Sequence, residues 1–513
     1  MTRLIYLVEA VAYNLSSGLE ETLFFASAEF ATGRADTPAD RRYWPRVKGE
    51  SAFAVAAFDG RGTRGASRPG AGPIALDNTD GALDGLSSAY ALAGRAVTVR
   101  VGEAGAPYPA GYPAVIAGVM EQPDAGLDQV LLRLRDGQVV LDKPAQSVLY
   151  AGTGGLEGAA DLAGKGKPCG VGGTSRNVEP ALVNPALDLY QAADGAVYAI
   201  GGVYDRQVAY TPGADYASQE EMETTAPAAG TFRAWNTSAG AYFRVGTPPS
   251  GMLTCDVTWA AAAERTTAQV WRSLLIQRGG VAAGMIDAAD VAALDAANAA
   301  EIELHLPCGD TRTVHQLLDE AAQGAGAYWW ADALGVYHLR RLEEPAGAAG
   351  VTLRQSRILE LERVLTSDTD RGLPAWRAEV RYDLNYSPTQ EDIDNSAPAA
   401  RRAWAKEEYR VASAADAAVK TPWPTAAEVT VDSHYADAVG AQAEADRLLA
   451  LYRVPRQSWR IKARLSAAEI AALDVGAVAA VDHPRYGLSG KLWRVLGLER
   501  DYRQGIVTVT VWG

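Results

Sequence analysis

Three cysteines, Cys169, Cys255 and Cys308, are all that this 513-residue chain contains. They are too few and too dispersed for a disulfide framework, and four-thiolate iron–sulfur ligation cannot be met. A reducing compartment of assembly is the simplest reading. Histidine is also scarce: the five, at 305, 315, 338, 434 and 483, include no pair spaced i, i+4, so no HExxH zinc motif occurs. No G-x-S-x-G nucleophile elbow is present. Long apolar runs are missing. Leu4 to Val8 is cut short by Glu9, and no later stretch reaches the ~18 residues of a membrane span. A soluble protein without stable membrane insertion is expected. Positive charge is in deficit, with 48 Lys and Arg against 62 Asp and Glu and a net charge of −14. That balance disfavours a general nucleic-acid binder or a basic membrane-surface patch, and no sequence-specific nucleic-acid partner is expected. Only 7 Phe accompany 22 Tyr and 12 Trp. Tyr and Trp suit half-wet positions, at interfaces or at sheet edges and loops.

What remains is ample for several cores. At about 150 residues per domain the length suggests three or four domains, and 51 Gly with 25 Pro indicate many turns. Residues 1–150 read as an N-terminal β domain. Ser51 to Phe58 is an apolar run closed by Asp59-Gly60, and residues 97–101 and 130–134 alternate, the latter before the turn Asp136-Gly137. Residues 151–175 are crowded with glycine and read as a linker or irregular loop. A second β region, 176–260, has strand candidates at 187–190, 197–203, 207–210 and 242–245. The α+β middle domain, 261–345, has helices predicted over 267–277, 287–299 and 313–322, followed by a hairpin around Asp332-Ala333-Leu334-Gly335. Residues 346–513 form a C-terminal β domain with one long helix over 435–452 and strands at 459–465, 492–498 and 506–512, the last two joined near Gln504-Gly505. The expected class is α+β, mainly β: several small β-barrel or sandwich-like domains with a helical α+β middle domain.

The best metal constellation is His305, Cys308 and His315, with Asp310 nearby, since His and Cys are zinc ligands and His305-Leu306-Pro307-Cys308 has ligand-like spacing. A fourth local ligand is lacking, and His315 begins a helix whose apolar face explains the segment. No metal and no cofactor is therefore expected, and these three stand as weak candidates. Gly158 to Gly166 fails as a phosphate loop, because Gly166 stands where Ser or Thr is needed. The Asp77 to Gly81 turn fails as a calcium loop, with Leu76 and Ser87 where carboxylates belong. Cys169 lies in a Gly-rich setting with no partner assignable from sequence. Asp319-Glu320 and Glu343-Glu344 are adjacent and do not face one another on a helix. No catalytic residue and no enzymatic activity is expected.

Several segments, taken in order, resemble the tailed-phage tail and baseplate hub protein family. These are Leu76 to Leu86 with Gly94-Arg95 and the strand 97–101; Gly166-Lys167-Pro168; Asn177 to Asn184; Leu189-Tyr190-Gln191; Val203-Tyr204-Asp205; residues 312–345; and Asp474-Val475-Gly476, Asp482 to Leu488, Trp493-Arg494-Val495 and Thr508 to Gly513. The resemblance implies a structural component of a phage tail tip or baseplate hub. It would be a homotrimeric ring connecting the tail tube and tape measure to the tip or fibres and allowing DNA passage. The partners implied are copies of itself, the distal tail or tube protein, the tape measure protein, and tail fibre or tip proteins. The implied location is the virion tail, after assembly in the bacterial host cytoplasm. The chain stops at Trp512-Gly513, so no appended fibre-binding or hydrolase domain is expected. A tail-associated peptidoglycan hydrolase and a receptor- or carbohydrate-binding tail protein are the alternatives.

Overall fold

The apolar run at the N-terminus is a strand, Leu4–Asn14, paired antiparallel with Leu19–Ala26 on one side and Ala96–Glu103 on the other. The protein is described here from a computed structural model covering residues 4–48, 53–58, 63, 68–71, 73–135, 137–366, 372–501 and 505–513. Of the expected turns, Asp59-Gly60, Asp136 and Gln504 lie outside the described residues, as do Ser51 and Ala52 of the run preceding Asp59. The first strand is buried on both faces, which is why it lacks clean alternation. Tyr6, Val8 and Ala10 meet Val97, Val99 and Val101 in the main core, while Ile5 and Leu7 pack with Tyr43 and Tyr112 on the other side. Glu9 is tolerated on that second face because Tyr43 and Tyr108 donate hydroxyls to it, at 2.9 and 3.1 Å, and Arg100 Nε donates at 3.0 Å.

The glycine-rich span 151–175 differs from the linker that its composition suggests. Cys169–Gly172 is a strand in antiparallel register with Glu303–Leu306, pairing Gly170 with His305. Here glycine serves close approach. A Cβ at Gly170 would lie 2.2 Å from the Trp259 ring, and Gly172 has a φ of +88° with the Ile302 carbonyl 2.3 Å from where its Cβ would stand.

The second β region is sandwich-like. One sheet holds Thr174–Val178, Leu253–Thr258 and Ala199–Asp205, and another holds Ala181–Asn184, Leu189–Ala193, Gly240–Val245 and Thr231–Thr237. Both contribute to one core containing Val178, Tyr190, Phe243 and Val257. In the middle unit the helices begin where capping chemistry allows. Asp287 Oδ1 accepts from the backbone of Ala289 and Asp290 at 2.9 and 3.0 Å, starting helix Ala288–Ala297. Thr313 and Gln316 form a reciprocal capping box ahead of helix Val314–Gln323. The hairpin of Ala327–Ala331 and Tyr337–Arg341 follows, as expected.

The C-terminal unit is built on a sheet with strand order Val351–Arg354, Val478–Asp482, Leu492–Asp501, Ile506–Trp512, Ser458–Arg464, Ile358–Val364. Its two outermost strands are joined by the single turn Gln355–Arg357. Three residues span at most ~11 Å, so the sheet curls back on itself like a barrel. Val351, Leu353, Ile461, Trp493, Val495, Val509 and Val511 are buried in it. Phe53–Ala56 pairs with the Gly497–Arg500 half of Leu492–Asp501 and so crosses the division expected at residue 150. A three-stranded sheet, Arg410–Ala415, Ala375–Tyr382 and Ala427–Asp432, carries helix Ala438–Tyr452 against it. The chain is thus α+β and mainly β. Its tryptophans divide: Trp271, Trp329, Trp330, Trp493 and Trp512 are fully buried, whereas Trp235, Trp376, Trp404 and Trp423 are half-buried and Trp44 is exposed. Trp329 Nε1 finds Asp319 Oδ1 at 2.7 Å, whereas the Nε1 groups of Trp271 and Trp330 have no hydrogen-bond partner among the described residues. Apolar area dominates their placement.

Candidate functional site

The structure separates the three residues singled out as weak metal candidates. His305 sits mid-strand, buried, its ring stacked on Trp259 at 5.6 Å and edge-on to Tyr386 at 5.1 Å. Burial, with Arg312 nearby, pushes it down to about 3, so it is neutral. Cys308 is half-buried against a different cluster, the one holding Tyr150 and Leu162, and burial raises its thiol. His315 faces Asp142, Nδ1 to Oδ1 3.1 Å, and Trp329 edge-on at 5.2 Å. The other thiols are no more reactive. Burial lifts Cys169 to about 12 and raises Cys255 well above its ordinary value. The adjacent carboxylates diverge too: Asp319 accepts from Trp329, while Glu320 pairs with Arg312 Nη1 at 2.8 Å.

Around His305 lies a buried polar network. Ser175 Oγ donates to Glu303 Oε2, Tyr386 OH donates to the same oxygen at 2.9 Å, and Trp259 Nε1 donates to Ser175 Oγ at 2.7 Å. Burial outweighs these bonds and lifts Glu303 to about 8. The network joins the strand 174–178, the strand 303–306 and the segment after Tyr382, and it reads as a joint between units. Beside it runs an open cleft of about 390 Å³ between Gly170–Gly172, residues 193–197 and helix Thr267–Ser273. The Arg278–Asp194 pair, at 2.6 and 3.0 Å, closes one wall.

A second polar centre has no counterpart in the expectations from sequence. His338 Nδ1 lies 2.8 Å from Asp290 Oδ2 and 3.5 Å from Asp287 Oδ2. Its Nε2 lies 3.6 Å from Asp332 Oδ2. Arg340 Nε donates to the other Asp290 oxygen at 2.9 Å. The His338 ring stacks on Trp330 at 4.9 Å. Burial opposes charge on His338, but Asp290 and Asp332 overcome it and lift the imidazole to about 9. From sequence Asp287 reads only as the start of the helix predicted over 287–299, and Asp332 only as a turn residue. The signal that was available is the i, i+3 spacing of Asp287 and Asp290, which puts both on the first turn of one helix. The histidine contacts described here are thus with carboxylates and aromatic rings, an arrangement suited to ion pairing and packing.

With that geometry in view, the molecule can be set beside solved structures. It aligns over 100% of its length with 96% of the prophage MuSo2 43 kDa tail protein from Shewanella oneidensis, at 9% identity and a TM-score of 0.40. It aligns over 99% with 96% of the tail protein from Neisseria meningitidis MC58, at 11% identity and a TM-score of 0.38. The prophage tail protein gp18 from Listeria monocytogenes EGD-e is covered to 94% by the whole chain, at 9% identity and a TM-score of 0.42. The likeness is to prophage tail proteins. At these identities and TM-scores it is a resemblance of overall layout and assigns no residue a role. No protein-family model matches the chain, and no curated protein matches it.

Proposed function

We propose that this protein is a structural component of a bacteriophage tail tip or baseplate hub. Several copies, three in the simplest arrangement, would form a ring that links tail tube and tape measure to tip or fibres and leaves a passage for DNA. The observation that carries this reading is the ordered sequence resemblance from Leu76 to Gly513, whose blocks fall at the joints of the fold. Gly166-Lys167-Pro168 leads into the strand paired with 303–306, and Asn177 locks the second β region to residues 385–387. The terminal block 508–513 belongs to the strand at the centre of the curled sheet. Interlocked units of this kind suit a load-bearing ring. The raised thiols and the buried, neutral His305 support a scaffold over a hydrolase, because neither offers an activated nucleophile or an accessible base.

The test is an electron-microscopy map of tails carrying this protein, with the mass of the purified chain measured in solution. Density for symmetric copies around the tail axis is expected. One copy per particle, off the axis, would overturn the reading. Cell-wall cleavage by the purified chain would favour the hydrolase alternative, and glycan binding by a monomer the receptor-binding one.

A further inference from the structure

We propose that Asp287, Asp290 and His338 form a binding site for a single divalent transition-metal ion of the zinc class. Two carboxylate oxygens and one imidazole nitrogen converge from a helix start and a hairpin strand, all within 4.8 Å of one another. Zinc–ligand bonds of about 2.0–2.2 Å set tetrahedral ligand separations of roughly 3.4 Å. The 3.5 Å from His338 Nδ1 to Asp287 Oδ2 matches that value, whereas the 2.8 Å to Asp290 Oδ2 is a hydrogen bond that the ion would have to open, drawing Asp290 back from the imidazole. Asp287 is partly open to solvent, which leaves water to complete the coordination.

The surroundings are those that orient ligands. Asp332 faces the far nitrogen of His338, the carboxylate–histidine relation that fixes a ligand's tautomer. Arg340 holds the non-ligating oxygen of Asp290. Asp287 uses its Oδ1 to cap the helix, leaving Oδ2 for the ion. Coordination through Nδ1 needs that nitrogen unprotonated, so the proton it shares with Asp290 leaves for solvent as the ion binds. One nitrogen and two oxygens without sulfur suit zinc or cobalt(II) better than calcium or magnesium, which need more oxygen ligands.

The ion would act as a staple. It ties helix Ala288–Ala297 to the hairpin whose tip seats on the N-terminal sheet, where Ala117 N–H donates to the Ala333 carbonyl at 2.7 Å. The site is independent of the proposed role in a tail and of His305, Cys308 and His315.

The experiment is titration of the chelator-treated, dialysed full chain with zinc chloride by calorimetry, and with cobalt(II) by visible absorption. One ion per chain is expected, with a tetrahedral cobalt spectrum lacking a thiolate charge-transfer band. Asp287→Asn keeps a competent helix cap but removes a ligand charge, and should weaken binding about tenfold or more. His338→Gln should abolish it, and Cys308→Ala should leave it unchanged. Zinc should raise the melting temperature of the wild type more than that of Asp287→Asn at the same concentration. Failure to take up stoichiometric zinc would overturn the proposal. So would uptake that Asp287→Asn leaves intact, or a thiolate band lost with Cys308.

Discussion

Asn177 donates its side-chain amide to Asn385 Oδ1 at 2.7 Å, a contact across 208 positions of sequence. The same amide reaches the Ser387 carbonyl at 2.7 Å, and its carbonyl accepts from Gln207 Nε2 at 2.9 Å. The Asn177 backbone N–H donates to Asp256 Oδ1 at 2.9 Å, from a left-handed conformation with φ of 59°. Asn is among the few residues that accept that backbone and can also satisfy three buried partners.

Replacing Asn177 with Ala should therefore destabilise the protein by about 2–4 kcal/mol, because it takes the partner from Gln207 Nε2 and a donor from the Ser387 carbonyl and Asn385 Oδ1, and strains the backbone. Asn177→Gly relieves the backbone and should recover about 1 kcal/mol of that loss. Denaturant unfolding of the two variants separates the terms. Equal stabilities would show that backbone strain plays no part.

Protonation should shape stability from both sides of neutrality. His305 and His434 are pushed down to about 3 and about 4, first by burial and then by Arg312. Unfolded, they take up protons near pH ~6.5. Their contribution is complete above that pH and is lost as pH falls toward 3–4. Glu303 acts in the opposite sense: raised to about 8 by burial, it contributes fully below pH ~4.5, and that contribution is lost as pH rises through 8. Glu303→Gln keeps an acceptor for Ser175 and Tyr386 without the charge. It should melt close to the wild type at about pH 5 and above it at about pH 9. A melting difference that does not change with pH would contradict the assignment.

Local pattern made the C-terminal strands and the capped helices readable, and physical reasons hid the rest. Ser458–Arg464 alternates because one face is core and the other is wet. Ile358–Val364 pairs with it and alternates over Leu359-Glu360-Leu361-Glu362, but it is an outermost strand with little of either face covered, so that alternation marks no core face. The pairing of Phe53–Ala56 with Gly497–Arg500 links opposite ends of the chain, beyond the reach of any local period. At the candidate metal centre, Asp287 reads locally as a helix start and Asp332 as a turn. Only the fold brings His338 between them.

The strand Ile506–Trp512 pairs with Ser458–Arg464 on one side and Leu492–Asp501 on the other, and Val507, Val509, Val511 and Trp512 are fully buried. Deleting residues 506–513 removes both ladders and exposes their partners as long apolar edges. Aggregated or unassembled protein is expected on size-exclusion chromatography. A soluble truncation that still assembles would contradict the central place given to this strand.

The last prediction concerns the basic stripe Arg460, Lys462 and Arg464. These residues alternate with buried Trp459, Ile461 and Ala463, so the stripe lies on the outer face of the curled sheet. It is interleaved with acids. Lys462 Nζ lies 3.1 Å from Glu360 Oε1, Arg460 lies 3.6 Å from Glu499, and Glu362 stands opposite Arg460 in register. Phosphate binding draws its strength from releasing counterions, and cations already neighboured by carboxylates have little to gain. The net charge of −14 adds a repulsive background. The purified protein should therefore show no measurable duplex-DNA binding at physiological salt. The double charge reversal Glu360→Lys with Glu499→Lys, which frees the stripe and adds two cations, should create weak binding that fades as salt is raised. Electrophoretic mobility shifts across a salt series test both statements. Micromolar, salt-sensitive binding by the wild type, abolished by Arg460→Glu with Arg464→Glu, would show that the carboxylates do not neutralise this face.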